Sequence, residues 1–359
     1  MLRLLHTFLS LPILLACSSG PAQAPGQQPA ASASRSLPDP GGQELTVAFY
    51  NIENLFDTQD DPKTDDAEWL PGSEVKWDDA KYRIKLSRMA EAIASIGSGG
   101  PDLLGVAEAE NEAVLRDLAA QPAIAARKYQ VAHVESEDER GIDVALLYDP
   151  AKFRFESLKA YQVDLPGEDD RTRPVLAVGG KAGGEWLYVL VNHWPSRSEG
   201  QQESEPNRLA AARTALQAVS EIRSQRKDAH VILMGDFNDD PHNASIAEVL
   251  GARSAPAQLP AGSLFNCMAA LHNPESAGTL TYQGKWNLFD QIIISESLLR
   301  PGAKLQYVSG SAAIHNPEFL QVGGDGRSKD APRRAIYRGE FQDRGYSDHF
   351  PVYIRLSTR

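Results

Sequence analysis

The chain has 359 residues, 42% of them hydrophobic, and a formal net charge of −12. That is enough apolar content for one large core or two modest ones, and too acidic overall for a global field that draws in polyanions. With Cys17 and Cys267 as its only cysteines, the chain has neither a disulfide framework nor a thiolate zinc site.

Residues 1–17 open with Arg3 and continue through Leu4, Leu5, Phe8, Leu9, Leu11, Ile13, Leu14 and Leu15. The apolar run is too short to span a bilayer and is placed like a signal peptide. It ends Leu14-Leu15-Ala16-Cys17, which resembles a bacterial lipobox with Cys17 as the lipidated first residue. An ordinary secretory signal is the alternative. Residues 18–43 are almost all Ser, Gly, Pro, Ala and Gln, a tether with a random-coil reach of roughly 30 Å. Residues 1–43 hold only Arg3, Arg35 and Asp39 as charges, so residues 44–359 carry −13. The expectation is a catalytic domain over 44–359, anchored by lipid in a bacterial cell envelope, on the periplasmic side or the outer membrane.

A first strand is expected over Leu45–Tyr50, ending at Asn51-Ile52-Glu53-Asn54. Residues 57–74 read as an acidic loop. Tyr82, Leu86, Met89, Ile93 and Ile96 recur at helical spacing, and Gly97 to Pro101 stop that helix. Residues 102–106 form a strand that leads to Glu108. Asn111 is placed to cap a short helix through Leu118. Val144–Tyr148 is an apolar strand entered through Asp143, and Val175–Val178 is another, entered through Arg171-Thr172-Arg173-Pro174. Trp186–Val191 runs into Asn192-His193-Trp194-Pro195-Ser196-Arg197. Leu209, Ala212, Leu216, Val219 and Ile222 mark a second amphipathic helix.

Val231-Ile232-Leu233 is a short buried strand closed by Met234-Gly235-Asp236-Phe237-Asn238-Asp239-Asp240-Pro241. In extended backbone Asp236 and Asn238 would point the same way, converging a carboxylate and an amide. A calcium loop fits the opening spacing but fails at Pro241 and Ala247, where its Gly and bidentate Glu belong. Asp290–Ile294 is a strand led by a carboxylate. Residues 309–345 read as a long loop with local basic residues. The last strand, Val352–Leu356, follows Tyr346-Ser347-Asp348-His349-Phe350-Pro351. Many strands with helices set among them indicate mixed α/β.

Asn51, Glu108, Asp143, His193, Asp236, Asn238, Asp290, Asp348 and His349 all flank apolar strands. Taken with Tyr50–Asn54, Ala107-Glu108, Asn192–Pro195, Gly235–Asn238, Asp290–Ile293 and Ser347–Pro351, they resemble the endonuclease/exonuclease/phosphatase superfamily, the group of deoxyribonuclease I, in family order across about residues 44–357. Ala107 stands where that family often has Gln. The resemblance implies a four-layer α/β/β/α sandwich and metal-dependent hydrolysis of phosphate esters. It implies Mg²⁺ or Mn²⁺ near Glu108, Asn51 and Asp348, since hard oxygen ligands suit those ions. It implies that Asp236 and Asn238 orient the attacking water and that His349 faces the phosphate, held by Asp290. His193 would be a second imidazole, with Asp143 as its candidate partner. Arg173 and Asn192 are the expected substrate contacts, and Arg171, Arg197, Arg327, Lys329, Arg333 and Arg334 are further basic candidates. Whether Asp236 or His349 is the water's base stays open. A monomer is expected, with a phosphate-ester substrate, nucleic acid among the options. A phospholipid or small-molecule phosphoesterase is the alternative, and a catalytically dead binding module is the reading from another class.

Overall fold

Alternate residues of the central strands face different cores, and this alternation sets the layering. In β1 (Glu44–Leu55), Val47 and Phe49 join one apolar cluster while Ala48, Tyr50 and Ile52 join a second. In β8 (His230–Asp236), Ile232 and Met234 face the first cluster, and Val231 and Leu233 a third. Successive side chains of a strand point to opposite faces. A strand that is apolar at every position is therefore covered on both sides.

The computed structural model describes residues 43–359 except 168–170, 257–258, 283 and 323–329. The expected signal peptide, Cys17, nearly all of the tether, Arg327 and Lys329 lie outside the described residues. Among the described residues no helix is long and apolar enough to cross a membrane.

One sheet has the order β14 (Leu305–Tyr307), β18 (Val352–Thr358), β1, β2 (Leu103–Ala109), β4 (Asp143–Tyr148), β3 (Gln130–His133), with β15 (Ala313–Ile314) also on β18. The other has the order β5 (Phe153–Tyr161), β6 (Val175–Ala182), β7 (Glu185–His193), β8, β13 (Asp290–Ser295), β10 (Leu264–Asn266), β9 (Ala252–Arg253). Both are mixed: β1–β2 and β7–β8 are parallel, and their other neighbours are antiparallel. The first cluster fills the space between the sheets. Helices α1 (Asp79–Ala94) and α2 (Glu112–Ala119) cover the outer face of one sheet, and α3 (Glu205–Gln225) covers that of the other. This is the expected four-layer arrangement.

Local signals explain most boundaries. Asn111 caps α2, its Oδ1 accepting the Val114 N–H at 3.0 Å. Asp78 does the same for α1 through the Ala80 and Lys81 N–H groups. β5 escaped the sequence reading because it is an edge strand with exposed residues and a register irregularity between Phe155 and Ser157. Residues 309–345 are more than a loop: they hold β15, a 3-10 turn and a hairpin of β16 (Ile336–Tyr337) and β17 (Glu340–Phe341). A second hairpin, β11 (Leu280–Tyr282) with β12 (Lys285–Asn287), precedes β13. Both hairpins stand outside the two large sheets.

Gly235 is required by the close approach of β7 and β8, where it lies opposite Asn192. A Cβ there would strike the Asn192 carbonyl oxygen, which is backbone and cannot step aside. Gly105, between the sheets, would instead meet the Met234 Sδ, the end of a flexible side chain. Gly235→Ala should therefore cost more stability than Gly105→Ala in urea denaturation, at ~1–3 kcal/mol. It should also depress turnover, because Asp236 is the next residue. Equal losses at the two positions would contradict this packing.

Candidate active site

Strand ends meet at one rim of the sandwich and deliver the polar residues together. Parallel pairing sets His193 beside Asp236 at the ends of β7 and β8. Antiparallel pairing sets Asp290, the first residue of β13, opposite Asp236. Glu108 falls in a register irregularity near the end of β2, one residue beyond the Asn51–Ala107 pair. Its φ of 67° is a left-handed backbone that residues other than Gly seldom adopt, and such strain clusters at functional sites.

Asn51 links the two sheets here. Its Nδ2 donates to Glu108 Oε1 at 3.0 Å and to Asp236 Oδ2 at 3.1 Å. Its Oδ1 accepts the Glu53 N–H at 3.0 Å, so the amide presents its donor end to the carboxylates and its oxygen to its own loop. The Asn54 N–H reaches Glu108 Oε2 at 3.0 Å.

Asp236 is buried, and burial raises its pKa to about 7. The charge on His349 opposes that rise, while Asp290 and Glu108 add to it. His349 Nδ1 lies 2.7 Å from Asp290 Oδ2, and its Nε2 lies 3.7 Å from Asp236 Oδ2 and 3.9 Å from Asp348 Oδ1. Burial disfavours the imidazolium, but Asp290, Asp236 and Asp348 together outweigh it and hold the pKa well above the ordinary value. His193 behaves oppositely. Its Nε2 is 3.7 Å from Glu108 Oε1 and 3.8 Å from Asp236 Oδ2, and its buried Nδ1 has no partner among the described residues. Burial first, then Arg173, Arg140 and His349, push its pKa well below the ordinary value, so it is neutral. The single proton of a neutral imidazole belongs on Nε2, facing the carboxylates.

Several expected roles need correction. Asp143 does not partner His193: its Oδ2 is 2.7 Å from His133 Nε2, and its Oδ1 accepts the Ser136 N–H. Arg173 is no free phosphate grip, because its buried guanidinium donates to Asp138 at 2.6 Å and to the Trp194 carbonyl at 3.1 Å. Asn192 is fully buried, donating to Leu190 and Met234 carbonyls and accepting from Trp194 Nε1. Asn238 does not converge on Asp236 in extended backbone. Its φ is 50°, its N–H caps Asp236 Oδ1 at 2.9 Å, and its Nδ2 donates to the Trp194 carbonyl.

Arg197 clamps the loop rather than facing solvent, donating to the Asn238 carbonyl at 2.7 Å and to Asp239 at 2.8 Å. Fully buried Arg208 adds a second ion pair to Asp239 at 2.8 Å. The clamp was missed because a guanidinium in sequence carries no sign of its burial. Of the other basic candidates, Arg333 donates to the Gln321 carbonyl, and Arg334 is exposed beside Asp348 at 3.9 Å.

The sequence profile described as the Endonuclease/Exonuclease/phosphatase family matches residues 46–358. The chain belongs to this family. Its members are metal-dependent hydrolases of phosphoester bonds. Among solved structures, a humanized D. rerio TDP2 is similar over 88% of this chain and 99% of its own, at 18% identity and TM-score 0.54. A Bacteroides thetaiotaomicron protein of the same family is similar over 89% of this chain and 99% of its own, at 18% identity and TM-score 0.53. The catalytic domain of human Nocturnin, with a bound sulfate anion, gives 16% identity, 88% and 95% coverage and TM-score 0.52. No curated protein sequence matches the chain.

The donor set suits the family's divalent cation. Ligand atoms of Asp236, Asp290 and His349 lie within 4.8 Å of one another. Asp290 is committed to His349, which leaves Glu108 and the partly exposed Asp348 on the open side of the cluster. Glu108 has no lysine or arginine partner among the described residues. The carboxylate oxygens of Glu108 and Asp348 fit a hard cation.

Asp236→Asn and His349→Ala should each lower turnover of bis(p-nitrophenyl) phosphate by ~10²–10⁴-fold in folded protein. Asp290→Asn should be milder, and adding it to His349→Ala should change little, since the two act as a unit. Multiplying losses in the double variant would break that pairing.

Asp236 also links stability to pH. Its folded pKa, about 7, lies above the ordinary carboxylate value, so its stabilising contribution is full below about 4 and lost as pH rises through 7. In chelator, Asp236→Asn should be more stable than the natural chain at pH 8, by up to ~4 kcal/mol. The difference should vanish near pH 4. A natural chain that is the more stable of the two at pH 8 would refute the burial cost.

Proposed function

We propose that this protein is a metal-dependent phosphodiesterase of nuclease type. The observation that carries the reading is the charged His349–Asp290 pair set 3.7 Å from a buried Asp236 beside Glu108. Phosphoryl transfer needs an aimed water, neutralised oxygens and a leaving oxygen that can accept a proton. A bound Mg²⁺ or Mn²⁺ supplies charge neutralisation at the phosphate. Asp236 orients and deprotonates the water, its raised pKa suiting a base near neutral pH. His349, as imidazolium, faces a phosphate oxygen and has a proton to give. Neutral His193 donates a hydrogen bond without adding charge. The D. rerio TDP2 structure with a single-strand DNA product supports a nucleic-acid ester over a lipid one. Its 18% identity makes this support by fold alone.

Full-length protein assayed on bis(p-nitrophenyl) phosphate, a short single strand, duplex DNA and a sphingomyelin vesicle should cleave the first two best with Mg²⁺ or Mn²⁺. Exhaustive chelation should abolish activity. With few uncommitted arginines near the site among the described residues, binding to duplex DNA should show a shallow salt slope, about −0.9 per phosphate contact over two to four contacts. A slope beyond about −6 would mark a dedicated duplex nuclease. Cleavage of the vesicle headgroup alone would mark a phospholipase-type enzyme.

We further propose an extracytoplasmic, monomeric enzyme tethered by lipid on Cys17. The support is the apolar run ending Leu14-Leu15-Ala16-Cys17 and the polar stretch that follows it. Cys17→Ser should release the protein from salt-washed membranes with unchanged specific activity. Retention on those membranes would place the anchor elsewhere.

A further inference from the structure

Beside the catalytic rim lies a cavity of about 870 Å³ whose wall includes Asp348, Arg334 and Arg344. The two hairpins outside the main sheets enclose it, and both are tied to the catalytic segment. Trp286 of β12 is buried and stacked on Phe350, the residue after His349, so its indole is committed to the fold. The Phe350 N–H donates to the Thr279 carbonyl at 2.8 Å. On the other side, Glu53 accepts the Ala335 N–H at 2.5 Å and the Ile336 N–H at 3.3 Å. Buried Lys85 donates to the Tyr346 carbonyl at 2.8 Å.

This anchoring brings two arginines together. The Gln342 N–H donates to the Ala335 carbonyl and the Tyr346 N–H to the Arg333 carbonyl, which joins the two legs of the second hairpin. Gly345 lies so close to the Arg334 carbonyl that a Cβ there would strike it. Arg334 and Arg344 therefore stand on facing legs of a fixed hairpin, and both line the cavity.

Neither guanidinium is committed elsewhere. Arg334 is exposed, and its one ion pair among the described residues is with Asp348 at 3.9 Å, too long for a hydrogen bond. Arg344 is exposed, and its guanidinium enters no ion pair or hydrogen bond among the described residues. Arg173, Arg197, Arg208 and Arg333 are different, since each is held by a carboxylate or a backbone carbonyl. Two guanidiniums with free donors on facing legs favour an anion that accepts from both. Glu275 and Asp343 also line the cavity, so it is no continuous cationic track. It offers a place for one anionic group rather than for a long polyanion.

Resting on the phosphodiesterase reading above, we propose that Arg334 and Arg344 hold one non-scissile phosphate of the substrate, the neighbour of the phosphate cleaved beside Asp348. Arg334 stands next to Asp348, so on this assignment the second phosphate follows the first directly. The preferred substrate is then a nucleotide or short nucleic-acid strand with a second phosphate, over an isolated diester.

The test is calorimetric binding to full-length Asp236→Asn protein with Mg²⁺, using thymidine 3′,5′-bisphosphate, thymidine 3′-phosphate and thymidine 5′-phosphate. Base and sugar are common to all three, so the comparison isolates the added phosphate. The bisphosphate should bind about tenfold tighter than either monophosphate, as expected for one added charged hydrogen bond. Arg344→Gln and Arg334→Gln, each added to that protein, should remove most of the preference, and Arg344→Lys should keep part of it. Both side chains are exposed, so these variants should melt with their parent. Equal binding of bisphosphate and monophosphates, or a preference unchanged in both Gln variants, overturns the assignment even if diesters are cleaved. Tighter binding of inositol 1,4-bisphosphate than of the nucleoside bisphosphate overturns its nucleic-acid form. The expected pattern in a protein that cleaves no phosphate ester overturns the hydrolase reading and leaves the two-arginine site standing.

Discussion

One amide group stands between two carboxylates, and the rest of the site depends on it. Glu108 belongs to one sheet and Asp236 to the other, and Asn51 Nδ2 donates to both. Without a donor there, two acids would face each other across the sheet-to-sheet seam, a costly arrangement where water is scarce. The same residue organises its surroundings through its backbone. Ser347 Oγ donates to the Asn51 carbonyl at 2.7 Å and accepts the His349 N–H at 3.1 Å. Two residues on, Glu53 accepts the Ala335 and Ile336 N–H groups and so holds the start of the β16–β17 hairpin. The end of β1 thus sets the positions of Glu108, Asp236, His349 and the Ala335–Ile336 segment at once.

Such an arrangement is strained, and four of the seven described non-glycine residues with left-handed backbone lie in it. Glu53, Asn54, Glu108 and Asn238 all have left-handed backbone, and all lie at strand ends around the rim. Each conformation costs of order 1–3 kcal/mol and persists only where its neighbours over-determine it. At Asn238 the determinant is visible. Arg197 grips its carbonyl and Asp239 together, and Arg208 meets Asp239 from α3. A buried ion pair is poor evidence of net stability, since desolvation offsets most of its attraction. Its value here is geometric: two planar guanidiniums admit one position of the loop that follows Asp236.

The layering of the fold was legible because apolar residues at successive strand positions need cover on both faces, and the helical spacing of Leu86, Met89 and Ile93 named one cover. The rim was legible because polar residues stop those runs abruptly: Asn51 after Tyr50, Asp236 after Gly235, Asp348-His349 before Phe350. Partner choice was not legible. Asp143 and His193 both end up near strand ends, yet β3 brings His133 to Asp143 by local antiparallel pairing with β4. Arg173, Arg197 and Asn192 have the chemistry of ligands in sequence, but whether a side chain is spent on a backbone carbonyl depends on rotamer and depth. The hairpins were hidden for a related reason. Their strands are two or three residues long, too short for any periodicity to register.

The two histidines carry the argument about chemistry furthest. Both are buried, and burial alone would make both neutral. What separates them is the group behind the ring. His349 has Asp290 on its Nδ1 and two further carboxylates in front, so it keeps its charge. His193 has no partner on Nδ1 and lies near Arg173, whose charge discourages a second cation. Arg173 therefore bears on the site without touching substrate: it helps keep an imidazole neutral. Environments that push two like groups apart are the usual signature of divided acid–base labour. On the proposed reading the charged ring answers the phosphoryl charge and holds a transferable proton. The neutral ring fixes an oxygen beside Glu108, where an added positive charge would compete with the cation. On that reading one sandwich rim provides a base, an acid and a neutral donor from two residue types, by burial and neighbours alone.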